Sequence, residues 1–343
     1  MIVDSLLYSI CPTINCHLFT FNYPKVHGLV IRNTGYSYTV KSDSGEIFDC
    51  KVKGNFRIRG IRTTNPVAIG DKVTFLPQDV EGNIEQAKQG LIVELDDRKN
   101  YIIRKSTNLS KQSHIIAANV DMCFLIVTIQ QPETPLQFID RFLASAEAYS
   151  VPVTLVFNKI DVVTDEWKDY LDGVINLYET VGYHCRRISA KTGEGVESLR
   201  AELEGKITLL SGNSGVGKST LINTLFPHLN LRTNNISDAY NTGKHTTTFS
   251  EMYEVGCGLG YIIDTPGLKG FGTFDMKREE VGHYFKEIFH YSADCRFNNC
   301  THTHEPHCAV REAVERHDIA ESRYNSYLSM LDDEKEDKYR AAY

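Results

Sequence analysis

Residues 206–225, KITLLSGNSGVGKSTLINTL, leave the backbone few choices. The apolar run ITLL reads as a buried strand, and KSTLINTL has the spacing of a helix. Between them lie Gly212, Gly215 and Gly217, which let the chain bend sharply enough to aim successive backbone N–H groups at one point. The following helix adds its positive N-terminal end, so the turn suits phosphate. Gly212, Asn213, Ser214, Gly215, Val216, Gly217, Lys218 and Ser219 fit GxxxxGK[ST], the P-loop pattern, with Thr220 as a further contact. In such a loop Lys218 reaches the β- and γ-phosphates and Ser219 ligates Mg²⁺. A P-loop needs a sheet with helices packed on it.

The flanking sequence supplies that sheet. MCFLIVTI, VTLVF, CRRISA, EMYEV and YIIDTPG read as strands, with helical stretches such as PLQFIDRFLASAEAYS between several of them, which predicts a largely parallel α/β layer. Chemistry-bearing residues end these strands. Asn158-Lys159-Ile160-Asp161 follows VTLVF. The Asp161 carboxylate accepts two hydrogen bonds from guanine N1–H and N2–H₂, a pair that adenine does not offer. Ser189-Ala190-Lys191 ends the next strand and presents a backbone N–H to the guanine O6. Asp264-Thr265-Pro266-Gly267 ends YIID; Asp264 suits a water-mediated contact to Mg²⁺, and the Gly267 N–H suits the γ-phosphate. Between P-loop and DTPG lies GKHTTT, residues 243–248, where a threonine, Thr247, ligates Mg²⁺ only while the γ-phosphate is present. The guanine pocket argues against a metabolic kinase. Two readings remain open on the motifs alone: a GTPase stimulated by RNA, and a nucleotide-switched binding module that hydrolyses GTP only to reset.

The order of these motifs is unusual. NKxD and SAK precede the P-loop, the reverse of ordinary small GTPases. Termini in such folds lie close together, so circular permutation preserves the sheet. It also places the C-terminal unit directly after the switch strand.

Residues 25–100 read as short strands separated by turn residues, a small five-stranded barrel of OB or SH3-like type. Within them, KVKGNFRIRGIRTT holds Lys51, Lys53, Arg57, Arg59 and Arg62 with no acid, a candidate RNA-binding face. The net charge of −7 argues against a chain that coats nucleic acid over its whole surface. Near the C-terminus, Cys295, Cys300, His302 and Cys308 form a CxxxxCxHxxxxxC cluster. Three thiolates and one imidazole make a closed tetrahedral Zn²⁺ set with no position open for catalysis. His304 and His307 lie nearby and are expected to be exposed. The other cysteines are scattered and no secretion signal is evident, which favours a reducing cytoplasm. No apolar run approaches transmembrane length. Residues 1–24 read as a poorly ordered extension, and nothing calls for an obligate dimer, so a monomer is expected.

The permuted order NKID, SAKTGEG, GNSGVGKST, GKHTTT and DTPG, with a barrel before it and the Cys/His cluster after it, closely resembles one family: the circularly permuted, small-subunit-dependent RsgA (YjeQ) GTPases. The resemblance implies an OB-fold RNA-binding domain at 25–100, a permuted GTPase domain at 101–277 and a helical zinc-binding domain at 278–343. It further implies a role in late maturation of the small ribosomal subunit, binding to its rRNA, and GTP hydrolysis stimulated by that subunit. Leu268 stands where Ras-like enzymes carry the glutamine that orients water. By resemblance His245 takes that role, joining Lys218, Thr247 and Gly267 as the catalytic set.

Overall fold

The computed structural model describes residues 24–52, 66–78, 88–105, 113–231, 251–256, 260–264 and 276–340. The N-terminal strands are β1 (Val26–Asn33), β2 (Tyr38–Ser42), β3 (Ile47–Val52), β4 (Lys72–Gln78) and β5 (Lys88–Leu95). Alternation within β2 and β3 sends Val40, Phe48 and Cys50 inward, where they meet Val30, Phe75 and Ile92. The strands run in the order β1-β2-β3-β5-β4, and β4 pairs back onto β1, which closes a barrel. The β3–β5 pair is parallel and the other pairs are antiparallel. That parallel pair distinguishes an OB-like barrel from an all-antiparallel SH3-like one.

A two-stranded hairpin, β6 (Tyr101–Lys105) and β7 (Ser113–Ala118), bridges to the α/β layer. Two asparagines pin it. Asn100 exchanges both hydrogen bonds with the backbone of Val120, and Asn119 donates to the Gly70 carbonyl. Beside them the buried Asp71 takes two hydrogen bonds from Arg98, at 2.7 and 2.6 Å.

The α/β layer comprises β8 (Met122–Val127), α1 (Leu136–Ala148), β9 (Val153–Phe157), α2 (Asp165–Val181), β10 (His184–Arg187), α3 (Val196–Glu202), β11 (Lys206–Ser211), α4 (Lys218–Leu225), β12 (Glu251–Glu254) and β13 (Gly260–Asp264). The strand order is β10-β9-β8-β11-β13-β12, parallel except for β12. Every residue of β8 is buried, because its two faces feed two cores. Cys123, Leu125 and Val127 pack with α1 and α2, while Phe124 and Ile126 pack with α3 and α4. On its outer side β12 pairs with β1, so barrel and α/β layer share one continuous sheet.

The C-terminal helices α5 (Lys286–Ser292), α6 (Ala309–Glu315) and α7 (Glu321–Arg340) enclose a core of Phe285, Ile288, Val310, Ile319, Tyr327 and Leu331, to which α1 contributes Ala144. A buried ionic cluster joins this unit to the α/β layer. Arg323 of α7 donates to Asp140 of α1 at 2.8 Å and to both carboxylate oxygens of Glu287 of α5 at 2.6 and 3.0 Å. Asp140 also accepts from Tyr178 and Ser326.

Candidate functional site

A parallel sheet gathers the carboxyl ends of its strands along one edge, so motifs scattered in sequence meet in space. Asn158 is where they join. Its side-chain amide donates to the Val216 carbonyl of the P-loop at 2.8 Å, and its side-chain oxygen accepts the Ala190 N–H at 2.9 Å. One buried side chain therefore fixes NKxD, the P-loop and SAK against one another. Ser189 donates to Asp161 Oδ1 at 2.6 Å and itself accepts from the Thr192 N–H, which sets the orientation of the Asp161 carboxylate. Lys159 has a left-handed backbone, φ 66°, and its ammonium donates to the Gln131 carbonyl. Lys191 is exposed at the rim.

Two of the P-loop glycines answer to close approach. A Cβ on Gly212, at φ 145°, would lie 2.3 Å from the Ile126 carbonyl oxygen, and one on Gly217, at φ 97°, would lie 2.5 Å from Asn158 Nδ2. Gly217 also heads α4, whose first turn holds Lys218, Ser219 and Thr220. The Lys218 ammonium donates to the carbonyls of Gly212 and Asn213 at 2.7 and 2.8 Å. Asn213 is half-buried, whereas Ser214 and Gly215 are exposed.

Asp264 ends β13 beside this loop. Burial pushes its carboxyl up to about 6, and Lys218 works in the opposite direction while Glu251 adds to the rise. Burial likewise brings Lys218 down to about 8 against the pull of Asp264. Asp264 Oδ1 has no hydrogen-bond partner among the described residues. A buried carboxylate oxygen left over, at a strand end beside the P-loop lysine, fits a hydrated divalent cation held with a phosphate chain.

Several expected site residues lie outside the described residues: His245, Thr247 and Gly267 of the phosphate-proximal set, and Lys53, Arg57, Arg59 and Arg62 of the basic segment, as does the extension at 1–23. Lys51 is exposed near the end of β3.

The second site is the Cys/His cluster. One coordinating atom from each of Cys295, Cys300, His302 and Cys308 falls within 4.8 Å of the others, a set that could hold a metal ion. The turn around it is braced by Glu305, which accepts from the N–H and hydroxyl of Thr301 and from the N–H groups of Thr303 and His304. Hydrogen bonding of this kind holds its carboxyl well below the usual range, although burial acts the other way. Tyr324 and Tyr327 of α7 donate to the carbonyls of His302 and Thr301. Burial depresses the His302 pKa, which favours the neutral imidazole that binds metal. His304 and His307 are exposed.

Three contributors escape sequence motifs: Gln131, whose carbonyl holds Lys159; Thr224, whose hydroxyl donates to the Ala190 carbonyl; and the Asp140–Arg323 pair. Only Asp140 leaves a sequence signal, as an acid on the apolar face of LQFIDRFLASAEA.

An OB-like barrel, a P-loop GTPase sheet entered from its guanine-side strands and a helical Cys/His unit define a circularly permuted GTPase with two flanking modules. The description "RsgA N-terminal domain" matches residues 27–92 and "RsgA GTPase" matches residues 95–274. The chain belongs to the RsgA GTPase family. It is 62% identical over 316 residues to the small ribosomal subunit biogenesis GTPase RsgA 2 of Bacteroides thetaiotaomicron, covering 92% of this chain and 99% of that one. It is 54% identical over 319 residues to the RsgA of Porphyromonas gingivalis, with the same coverage. Among solved structures, YjeQ from Thermotoga maritima superposes with a TM-score of 0.70 at 34% identity, over 90% of this chain and 98% of that one. YloQ, described as a circularly permuted GTPase, gives 0.67 at 25% identity, over 92% and 97%. Among the described residues no helix is long and apolar enough to cross a membrane.

Proposed function

We propose that this chain hydrolyses GTP to GDP and phosphate during late maturation of the small ribosomal subunit, that it binds the rRNA of that subunit and that the subunit stimulates it. The observation that carries the chemistry is the Asn158 junction, which unites a guanine-reading aspartate with a phosphate loop. The subunit role rests on relatives named as small ribosomal subunit biogenesis GTPases at up to 62% identity.

In this reading Asp161 accepts the guanine N1–H and N2–H₂, and a backbone N–H of the Ser189-Ala190-Lys191 turn donates to O6. Asn158, Lys159, Ser189 and Lys191 shape the pocket. The amides of residues 212–217 and the Lys218 ammonium hold the β- and γ-phosphates, with Thr220 in support. Ser219, Thr247 and Asp264 hold Mg²⁺, directly or through water. When bound there, Mg²⁺ would supply positive charge against that developing on the phosphate chain. The Gly267 N–H donates to the γ-phosphate. His245 orients a water whose oxygen attacks the γ-phosphorus as the bond to the bridging oxygen breaks. Leu268 has no polar atom to share that task, so turnover without the subunit is slow.

Residues 25–100, 101–277 and 278–343 act as the RNA-binding, GTPase and zinc-binding domains. Zn²⁺ is the ion for the Cys/His set. A tetrahedral zinc with bonds of about 2.3 Å to sulfur and about 2.0 Å to nitrogen separates its ligands by about 3.8 Å (S···S) and about 3.5 Å (S···N). The Cys295–Cys308 sulfurs lie 3.9 Å apart, and His302 Nδ1 lies 3.6 and 3.4 Å from them. The chain works as a cytoplasmic monomer. Lys51, Lys53, Arg57, Arg59 and Arg62 contact rRNA phosphates.

The test is the GTPase rate with and without purified small subunits, paired with co-sedimentation in GDP and in a non-hydrolysable GTP analogue. Subunit stimulation of several-fold or more is expected. A rate indifferent to subunits, together with nucleotide-dependent capture of another protein, would favour the binding-module reading.

A further inference from the structure

The outer strand of the GTPase sheet, β12, is four residues long, and Met252 is its only buried residue. On its inner side it pairs with β13 at four positions, from Glu251 opposite Asp264 to Glu254 opposite Tyr261. On its outer side, the strand pairing with the barrel among the described residues is Arg32 opposite Glu251. A strand this short and this thinly paired is poorly fixed by backbone hydrogen bonds alone.

Two barrel cations make up the deficit, one at each end. Arg32 Nη2 lies 3.1 Å from Glu251 Oε1, and Lys41 Nζ lies 2.5 Å from Glu254 Oε2. Lys41 also stands 5.7 Å from the centre of the Tyr261 ring on β13, so it touches both strands of the pair. The other oxygen of Glu251 accepts the Tyr253 hydroxyl at 2.8 Å. In sequence, Glu251 follows directly on GKHTTTFS, and across the ladder it faces the strand end that bears Asp264.

We propose that Arg32 and Lys41 are positioning residues for GTP hydrolysis: by clamping both ends of β12 they hold it in register with β13, so that the barrel is a working part of the GTPase rather than only an RNA-binding appendage. The inference rests on the GTPase reading above. Its physical content is separable, because strand register is measurable without any nucleotide. A single partly exposed ion pair contributes little. Reversing a charge has a larger effect than deleting it, since the remaining glutamate then faces a like charge across the seam. Lys41 is the more informative position because Glu254 lies at the end of β12 remote from Asp264.

The experiment uses the full chain as Lys41→Glu, Arg32→Glu, the charge swap Lys41→Glu/Glu254→Lys, and Lys41→Gln as a mild variant. Hydrogen exchange of peptides spanning 251–264 is followed without nucleotide, and steady-state GTP hydrolysis with purified small subunits. Lys41→Glu should speed exchange in β12 about tenfold while exchange of the barrel core around Val40 and Phe75 is unchanged. It should lower the subunit-stimulated kcat about tenfold with KM for GTP and GDP affinity within about twofold. Arg32→Glu should act in the same direction, and Lys41→Gln should fall between. The charge swap should restore both exchange and kcat, which loss of barrel structure would not permit. Unchanged exchange in β12 overturns the proposal, as does a loss of kcat that the swap leaves unrepaired. A parent chain without GTPase activity would instead refute the functional reading, and the exchange results would still decide whether the barrel clamps β12.

Discussion

Replacing Arg323 by methionine keeps most of the side-chain volume and removes a guanidinium that is 1% exposed. Three hydrogen bonds go with it, one to Asp140 and two to Glu287. The carboxylates left behind are 0% and 10% exposed. Asp140 keeps the Tyr178 and Ser326 hydroxyls, so its share of the cost is cushioned, whereas both Glu287 oxygens lose the donors that Arg323 supplied. Removing one partner of a buried ionic cluster costs about 3–5 kcal/mol. In a structural unit of this size each kcal/mol lowers the melting temperature by about 2–4 °C, so a fall on the order of 10 °C is expected. The cluster joins α1 to α5 and α7, so the loss should appear first as earlier melting of the C-terminal helices, resolved as a separate transition by circular dichroism or by exchange in α7. The triple variant Arg323→Met/Asp140→Asn/Glu287→Gln, which leaves no buried charge, should recover much of the deficit. A single variant within about 1 kcal/mol of the parent would refute the claim that this cluster is what couples the two units.

The Asp161→Asn variant should weaken GTP binding by about 2–4 kcal/mol, read by nucleotide titration, and shift preference toward xanthine nucleotides; unchanged GTP affinity would remove Asp161 from the base pocket. Metal analysis should find about one Zn²⁺ per chain, with Cys300→Ala losing it and loosening the C-terminal unit, while zinc retained after replacing Cys295, Cys300 and Cys308 together would mean that other groups are the ligands. Reversing Arg57, Arg59 and Arg62 to glutamate should weaken subunit binding and flatten its salt dependence without changing GTP affinity; an unaltered salt slope would make the segment a solvated face. His245→Ala should remove most of the subunit-stimulated rate while GTP affinity holds, and full stimulation in that variant would make the histidine a bystander.

The parts of this chain that can be read from sequence are those in which neighbours in sequence are also neighbours in function. GNSGVGKST needs only its own strand and helix to form a P-loop, and the members of the Cys/His cluster all fall between residues 295 and 308. The buried strand β8 announces itself as an unbroken apolar run, and β9 as one broken only by Thr154. What stays hidden depends on distant pairings. Closure of the barrel rests on β4 returning to β1, and the hairpin at 101–118 is a two-stranded element whose polar ends mask its β-rich centres. The clasp of Lys159 on Gln131 uses a backbone carbonyl, which no side-chain pattern reveals. Arg323 finds Asp140 across 183 residues; Asp140 stands out in sequence as an acid on an apolar helix face, but nothing there names its partner.

The permuted order also changes when the molecule is built. Residues 122–225 form one unbroken run that contains β8, β9, β10 and β11, four adjacent strands with the helices that cover them. Domains tend to fold as units from the N-terminal side during synthesis. The NKxD and SAK loops and the P-loop, already tied together by Asn158, therefore emerge as a single block with β11 at one edge. Strand β13 docks on that edge later and β12 docks on β13, with the β1 strand of the already synthesised barrel waiting on its far side. In a GTPase of ordinary order the phosphate loop is made first and the guanine pocket last. Here the nucleotide's grip is assembled before the strand that brings Asp264, and the last gap in the sheet is closed between two halves that already exist.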